Sequence, residues 1–350
     1  MKRNFRSAKF AEYLSTFALI HQIHLHPTLL IEKRDPSRGY GMYVRDAVDA
    51  GTTMVVLPRR SLMTSTSVDT FGVGLSRLSL ENALQNISVR DRFPAMNLLL
   101  MGVSPVSWIV LAWQLSVELS ARHSFWWGWL SSVPSLPDLN ELEHAAHAAS
   151  RVVAPQLAGQ MATIRSALQK EVDDAFTSIV APHAAVVPTI DTFRWAVRLV
   201  LTRSIVVPTI EGTGVDLAIA PFIDLCNMAT APIKGSSHKK KQNVSTGNAE
   251  VEFLGDGENL PEWSRKETDE GGQFKTADSD YHRHAVMLTL HNALLPGDEV
   301  LLDDAAGLFH EIMHEDSITT PLKAFLSTNP SLQHPDMAAV LRMQRYHIPL

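Results

Sequence analysis

An α+β fold is predicted by three observations. Short apolar runs broken by turn residues occupy 29–57, helical periodicity dominates from about 105 to 205, and short apolar runs return afterwards. The 350 residues are 45% hydrophobic and 19% charged, enough to bury a sizeable core, so disorder of the whole chain is excluded. A formal net charge of −6 leaves no domain-wide basic field, and sequence-specific recognition of nucleic acid is not expected. The single cysteine, Cys226, excludes an internal disulfide framework and a cysteine-based zinc cluster, and it fits a reducing compartment. No apolar run approaches the ~18 residues that span a bilayer, so no membrane partner is expected.

Residues 1–28 form a first segment. Lys2, Arg3, Arg6 and Lys9 stand against one acid, Glu12, and Phe5, Phe10, Tyr13, Leu14, Phe17 and Ala18 recur at roughly helical spacing. Two readings stay open: a basic amphipathic mitochondrial targeting helix, or a first helix packing its apolar stripe on the core. The corresponding localisations are mitochondrial or, alternatively, cytoplasmic. Leu29 to Leu57, with turns at Arg38-Gly39-Tyr40-Gly41 and Asp49-Ala50-Gly51, reads as two or three strands. Pro105 to Glu118 reads as a buried helix and 138–180 as Ala-rich helix. Phe193 to Ile205 is a further helix, with Asp191-Thr192 as its N-cap. Residues 232–280 shift to Gly, Ser, Lys and acids, which predicts a mobile loop. Val286–Leu290 and Val300–Leu302 read as strands joined through Pro296-Gly297-Asp298, and a final helix is expected from Ala305 to about His314.

His310-Glu311-Ile312-Met313-His314 matches the H-E-x-x-H zinc pattern, in which two imidazoles share a helical face with a Glu as general base. Glu315 and Asp316 follow at once, and no third ligand stands at a recognised spacing, so a solvated helix is preferred and no metal is expected. Lys239-Lys240-Lys241 is offset by Glu250, Glu252, Asp256 and Glu258 and reads as a solvated loop. Gly72-Val73-Gly74 and Gly212-Thr213-Gly214 lack the rest of a phosphate loop and read as turns. The aromatics at 125–129 read first as packing of the helical block. Cys226 has no base supplied by a motif and reads as a small buried hydrophobe.

Several stretches, in order, resemble the SET-domain protein-lysine methyltransferases of the Rubisco large-subunit methyltransferase branch. These are Arg38-Gly39-Tyr40-Gly41 with Val55-Val56-Leu57-Pro58 and Ser61-Leu62-Met63-Thr64, then Phe125-Trp126 through Val133-Pro134. Phe193-Arg194-Trp195-Ala196 through Thr202-Arg203-Ser204, Ala220-Pro221-Phe222 through Cys226-Asn227, and Gly297-Asp298-Glu299-Val300 complete the set. The resemblance implies small curled β-sheets with a helical insertion and a knot-like C-terminal threading. The SET parts would be 29–95 and 206–318, the insertion 96–205 and the tail 319–350. It also implies S-adenosylmethionine as cofactor, with Gly39, Gly41, Arg203, Asp224, Asn227 and Met228 around it. Glycine lets backbone approach a ligand closely, a guanidinium suits the cofactor's carboxylate, and an amide oxygen suits its ammonium.

The sequence departs from that family at two places. Its Asn-His pair is Asn227-Met228, and a thioether cannot replace the imidazole's hydrogen bonds. The position of the catalytic tyrosine carries Asp304, a shorter side chain whose charge would keep a lysine amine protonated. The expectation is therefore a degenerate methyltransferase that binds a protein or ribonucleoprotein partner, for instance in organellar assembly. An active S-adenosylmethionine-dependent lysine methyltransferase, with Tyr281 or Tyr40 replacing the missing phenol, is the alternative. A zinc hydrolase through His310 and His314 is the minor one.

Overall fold

The computed structural model describes residues 4–34, 40–65, 80, 82–84, 92–100, 103, 105–121, 124–130, 132–133, 135, 155–184, 186–208, 215–228, 247–254 and 285–302. In chain order these form α1 (Asn4–Ile20), β1 (His24–Leu25), β2 (Leu29–Glu32), β3 (Gly41–Val44), β4 (Thr53–Pro58) and β5 (Met63–Thr64). The helices α2 (Pro94–Leu99), α3 (Pro105–Ser120), α4 (Trp127–Leu130), α5 (Pro155–Ala175), α6 (Ala181–His183) and α7 (Ile190–Arg203) follow. The remaining strands are β6 (Ser204–Pro208), β7 (Val215–Ile219), β8 (Asn227–Met228), β9 (Ala249–Phe253), β10 (Ala285–Leu290) and β11 (Leu301–Leu302). Helices mixed with small sheets make this the α+β class. The described residues of Met1–Leu62 and Ala220–Gly307 form one compact unit, and those of Met63–Ile219 belong to a second.

In the first unit a six-stranded sheet runs in the order β1-β4-β10-β9-β11-β8, and β2 pairs with β3 beside it in sequence as a separate ribbon. All six residues of β4 are buried, as expected for a run of Met54, Val55, Val56 and Leu57 without polar alternation. β4 and β10 pair antiparallel with a register shift between Leu288 and Thr289, whereas β11 runs parallel to both β8 and β9. Leu14, Phe17 and Ala18 of α1 are buried, and the Phe17 ring lies 3.8 Å from that of His21 and 6.4 Å from that of Phe222. The helix ends in a Schellman turn: Ile23 N donates to Ala18 O and Gln22 N to Leu19 O, with Gln22 at φ 53°.

One stretch departs from expectation. Residues 249–253, placed by composition inside a mobile loop, form β9, an interior strand of the sheet between β10 and β11. Ala249, Val251 and Phe253 alternate with Glu250 and Glu252, a period-2 signal masked by the Gly- and Lys-rich residues around it. The rest of 232–280 and the expected helix from Ala305 to His314 lie outside the described residues.

In the second unit β5, β7 and β6 form an antiparallel sheet. α3 packs against α7 and is apolar on nearly every side, so Trp108, Ile109, Val110, Leu111, Ala112 and Leu115 are all buried. α7 begins earlier than Asp191-Thr192: the N-cap is Thr189, whose Oγ1 accepts from Thr192 N at 3.1 Å. It also stops at Arg203 rather than Ile205, because Ser204-Ile205-Val206-Val207-Pro208 pairs residue for residue with Ile219 back to Val215. β-branched side chains suit that ladder better than another helical turn. α5 passes into a five-residue π-turn, Phe176–Val180.

Candidate functional site

Within the first unit, three stretches singled out in the sequence converge: the strand after Gly41, the segment Gly297–Leu302, and Asn227-Met228. The turn at Leu295–Asp298 is closed by Asp298 N donating to Leu295 O at 3.0 Å and Leu295 N to Asp298 Oδ2 at 2.9 Å. Gly297 has φ 92°, which an L side chain rarely adopts. From there the chain lies along β3: Gly297 N donates to Val44 O at 2.7 Å, Val44 N to Asp298 O at 3.0 Å, and Val300 N to Met42 O at 2.8 Å. Arg34 braces the turn, its guanidinium 3.9 Å over the Tyr43 ring while Nη1 donates to Gly297 O at 2.7 Å. On its other side the segment becomes β11, where Leu301 and Leu302 pair in parallel with Asn227 and Met228.

Asn248 is a residue that sequence reasoning missed. Its Nδ2 donates to Glu299 O at 2.8 Å and its Oδ1 accepts from Leu301 N at 2.8 Å, while its backbone N donates to Leu301 O. It thereby holds three backbone groups of the segment between β3 and β8. The only available signal was a lone Asn before an alternating strand.

The approach to Asn227 is strained. Phe222, fully buried, has φ 71° and ψ −53° and opens a 3-10 turn, Ile223–Leu225, with Asp224 N donating to Ala220 O and Cys226 N to Ile223 O. That backbone region costs on the order of 1–3 kcal/mol and persists only where the surroundings impose it. Asp224, half-buried, sits in this turn. Cys226 is buried, with Sγ 3.1 Å from Met42 Sδ. Burial pushes its thiol pKa up, and the Asp224 and Glu299 carboxylates push it further the same way. The thiol stays protonated, which suits a packing role and no nucleophilic one.

The predicted site residues are thus distributed as follows. Gly41 opens β3 opposite Glu32, and Asn227 and Met228 form β8. Arg203, half-buried, ends α7 in the second unit. Tyr40 is described, and burial raises its phenol pKa. Gly39, Asp304, Tyr281, the 239–241 lysines, the 72–74 and 212–214 turns, and the whole of His310–His314 lie outside the described residues. In the aromatic run, Trp126 and Trp129 are buried as packing, whereas Phe125 and Trp127 are 44% and 46% exposed. Trp126 N donates to Ser124 Oγ, which in turn donates to the buried Glu118 carboxylate, and this fixes the turn before α4. Among the described residues no group of three or more His, Cys, Asp or Glu is placed to hold a metal, and no helix is long and apolar enough to cross a membrane.

No protein-family profile matches the chain. An actin-histidine N-methyltransferase from Danio rerio is 43% identical over 51 residues, which is 13% of this chain and 9% of that protein. Among solved structures, the chain is similar to the SET domain of LSMT bound to lysine and AdoHcy. The TM-score is 0.49 at 13% identity, over 85% of this chain and 54% of that one. For Rubisco LSMT bound to AdoMet the TM-score is 0.46 at 12% identity, over 84% of this chain and 52% of that one. The chain spans about half the length of these structures.

Proposed function

We propose that this chain is a SET-like scaffold that holds S-adenosylmethionine beside Asn227 but transfers its methyl group poorly or not at all, acting instead by binding a protein or ribonucleoprotein partner. The observation that supports it is the seating of Gly297–Leu302 between β3 and β8, with Leu301 opposite Asn227. Two residues after Leu302 the sequence carries Asp304 where the family places its tyrosine. The donor set of the first unit suits the cofactor chemically: the Asn227 amide for its ammonium and a Gly41 backbone without Cβ. When bound, that cofactor supplies an electrophilic methyl carbon. A carboxylate at 304 favours the protonated form of an incoming lysine, which has no lone pair to attack. Phe125 and Trp127, exposed on the second unit, are the surface offered to the partner, and an organellar setting fits the basic residues Lys2, Arg3, Arg6 and Lys9 at the start of the chain.

The test is calorimetric titration with S-adenosylmethionine followed by a methyl-transfer assay on cell extracts. Binding without turnover, together with gain of turnover in Asp304→Tyr, supports the proposal. Turnover by the natural chain that Asn227→Ala abolishes overturns it in favour of an active lysine methyltransferase. Stoichiometric zinc that disappears in His310→Ala overturns it in favour of a hydrolase.

A further inference from the structure

We propose that the outer edge of β2, in the first unit, is a docking surface for an extended, acidic segment of a partner protein, which pairs with it as a further antiparallel strand. β2 and β3 pair as Leu29 with Val44, Leu30 with Tyr43, Ile31 with Met42 and Glu32 with Gly41. β3 commits the backbone groups of Met42 and Val44 to its other side: Val300 N donates to Met42 O, Val44 N to Asp298 O and Gly297 N to Val44 O. Backbone groups of successive residues alternate sides in an antiparallel ladder, so Gly41 and Tyr43 face β2 and are met by Glu32 and Leu30. Arg45 N, donating to Thr28 O at 2.8 Å, continues the same alternation. Leu29 and Ile31 therefore turn their N–H and C=O groups away from β3. Leu29 N donates to His26 O at 2.9 Å, and among the described residues Leu29 C=O and both backbone groups of Ile31 meet no partner. Leu29, Leu30 and Ile31 are half-buried, and the run holds no proline or charge to blunt its edge.

Charge selects the occupant. Glu32 accepts from Arg34 Nε at 2.8 Å, and Arg34 also donates to Gly297 O, so these two charges are engaged. Lys33, the next position on the face of Leu29 and Ile31, is exposed and makes no ion pair among the described residues. Its complement is a carboxylate directly across the new ladder. A second copy of this chain does not supply one. Only outward residues can pair with outward residues, and Glu32 faces inward, so no antiparallel register sets it opposite Lys33. With Leu29 opposite Ile31, Lys33 meets Pro27, which has no N–H. With Ile31 opposite itself, Lys33 meets Leu29, and with Ile31 opposite Lys33 the two Glu32 side chains stand face to face. An edge of 4 residues makes a small contact, which suits transient strand addition.

The inference does not need S-adenosylmethionine to bind, so it stands or falls apart from the reading above. The probe is the peptide acetyl-Glu-Thr-Val-Thr-Val-amide carrying a fluorophore, titrated with the full chain and read by anisotropy. In antiparallel register its Glu meets Lys33 and its central Val meets Ile31. The expected result is saturable binding, weakened ~10-fold or more by N-methylation of the central Val, which deletes the N–H aimed at Ile31 C=O. Ile31→Pro deletes the outward N–H of the edge while breaking no hydrogen bond of the fold, and should cause a similar loss at an unchanged thermal midpoint. Lys33→Glu should weaken binding of the Glu peptide ~3-fold and strengthen that of its Lys counterpart as much. If Ile31→Pro lowers the midpoint, the N-methylated peptide and Lys33→Glu decide. Absence of saturable binding by the natural chain, equal affinity for the N-methylated peptide, or an unchanged peptide preference in Lys33→Glu overturns the proposal. So does self-association of the natural chain that Ile31→Pro abolishes, which assigns the edge to a second copy.

Discussion

Cys226 and Met42 meet sulfur to sulfur at 3.1 Å, although 184 positions separate them. Met42 follows Gly41 and Cys226 precedes Asn227, so one buried contact ties together the two backbones from which the proposed cofactor site is built. Around it, Val300 N reaches Met42 O, and Leu301 pairs with Asn227.

Cys226 is consequently expected to resist thiol reagents. Burial and two neighbouring carboxylates hold it protonated, so native protein should react with a disulfide reagent only at the rate of opening, and unfolded protein at once. Cys226→Ala should lose ~1 kcal/mol through the cavity it leaves. Prompt labelling of folded protein would contradict the burial described.

Gly297→Ala should destabilise the chain by ~1–2 kcal/mol. At φ 92° an L side chain is strained whatever space surrounds it, and the nearest atom to an added Cβ, Arg34 Nη1, is an unobstructive 3.8 Å away. Denaturant titration measures the loss. A decrease in S-adenosylmethionine affinity beyond that in a matched surface variant would tie the turn to the site.

Glu171 should make stability fall as pH rises through neutrality. Its carboxylate accepts from Ala95 N at 2.9 Å and Met96 N at 2.8 Å at the start of α2, yet burial outweighs these bonds and raises its pKa from 4.5 to about 7. The folded state thus prefers the neutral acid. Its contribution is complete below about pH 4.5 and is lost as pH climbs through about 7, by at most ~3 kcal/mol. Chemical denaturation across that window measures the slope. Glu171→Gln should flatten it while losing ~1 kcal/mol near pH 5, since an amide offers one oxygen to two N–H groups.

Arg92 and Asp174 should couple by ~1 kcal/mol in a double-mutant cycle. The guanidinium donates Nε to Oδ2 at 2.6 Å and Nη2 to Oδ1 at 2.8 Å, and Nη2 also reaches Ser178 Oγ at 2.7 Å. Its hydrogen bonds hold the Asp174 carboxyl below its ordinary range. That share of stability is present at neutral pH and is lost on acidification through the depressed pKa. Both partners are partly exposed, so solvent screens the pair, and a coupling near zero would reduce it to surface decoration.

Much of this protein was legible in the order of its residues because those signals are local. Apolar periodicity located α3, α7, β4 and β10, and a Gly-containing turn announced the bend at 297. Where neighbours in sequence mislead, the reading slipped: β9 alternates acids with apolar residues but is surrounded by loop-like composition, and α7 gave up two residues to β6. Those outcomes depend on partners far along the chain. A strand of alternating Glu and Val becomes interior only when β10 and β11 arrive on either side, and Ser204 leaves a helix only because Ile219 offers a ladder. Asn248 and the Met42–Cys226 contact belong to the same class. Each is a meeting of groups that a linear spacing does not encode, decided by which backbone hydrogen bonds and buried surfaces can be satisfied together.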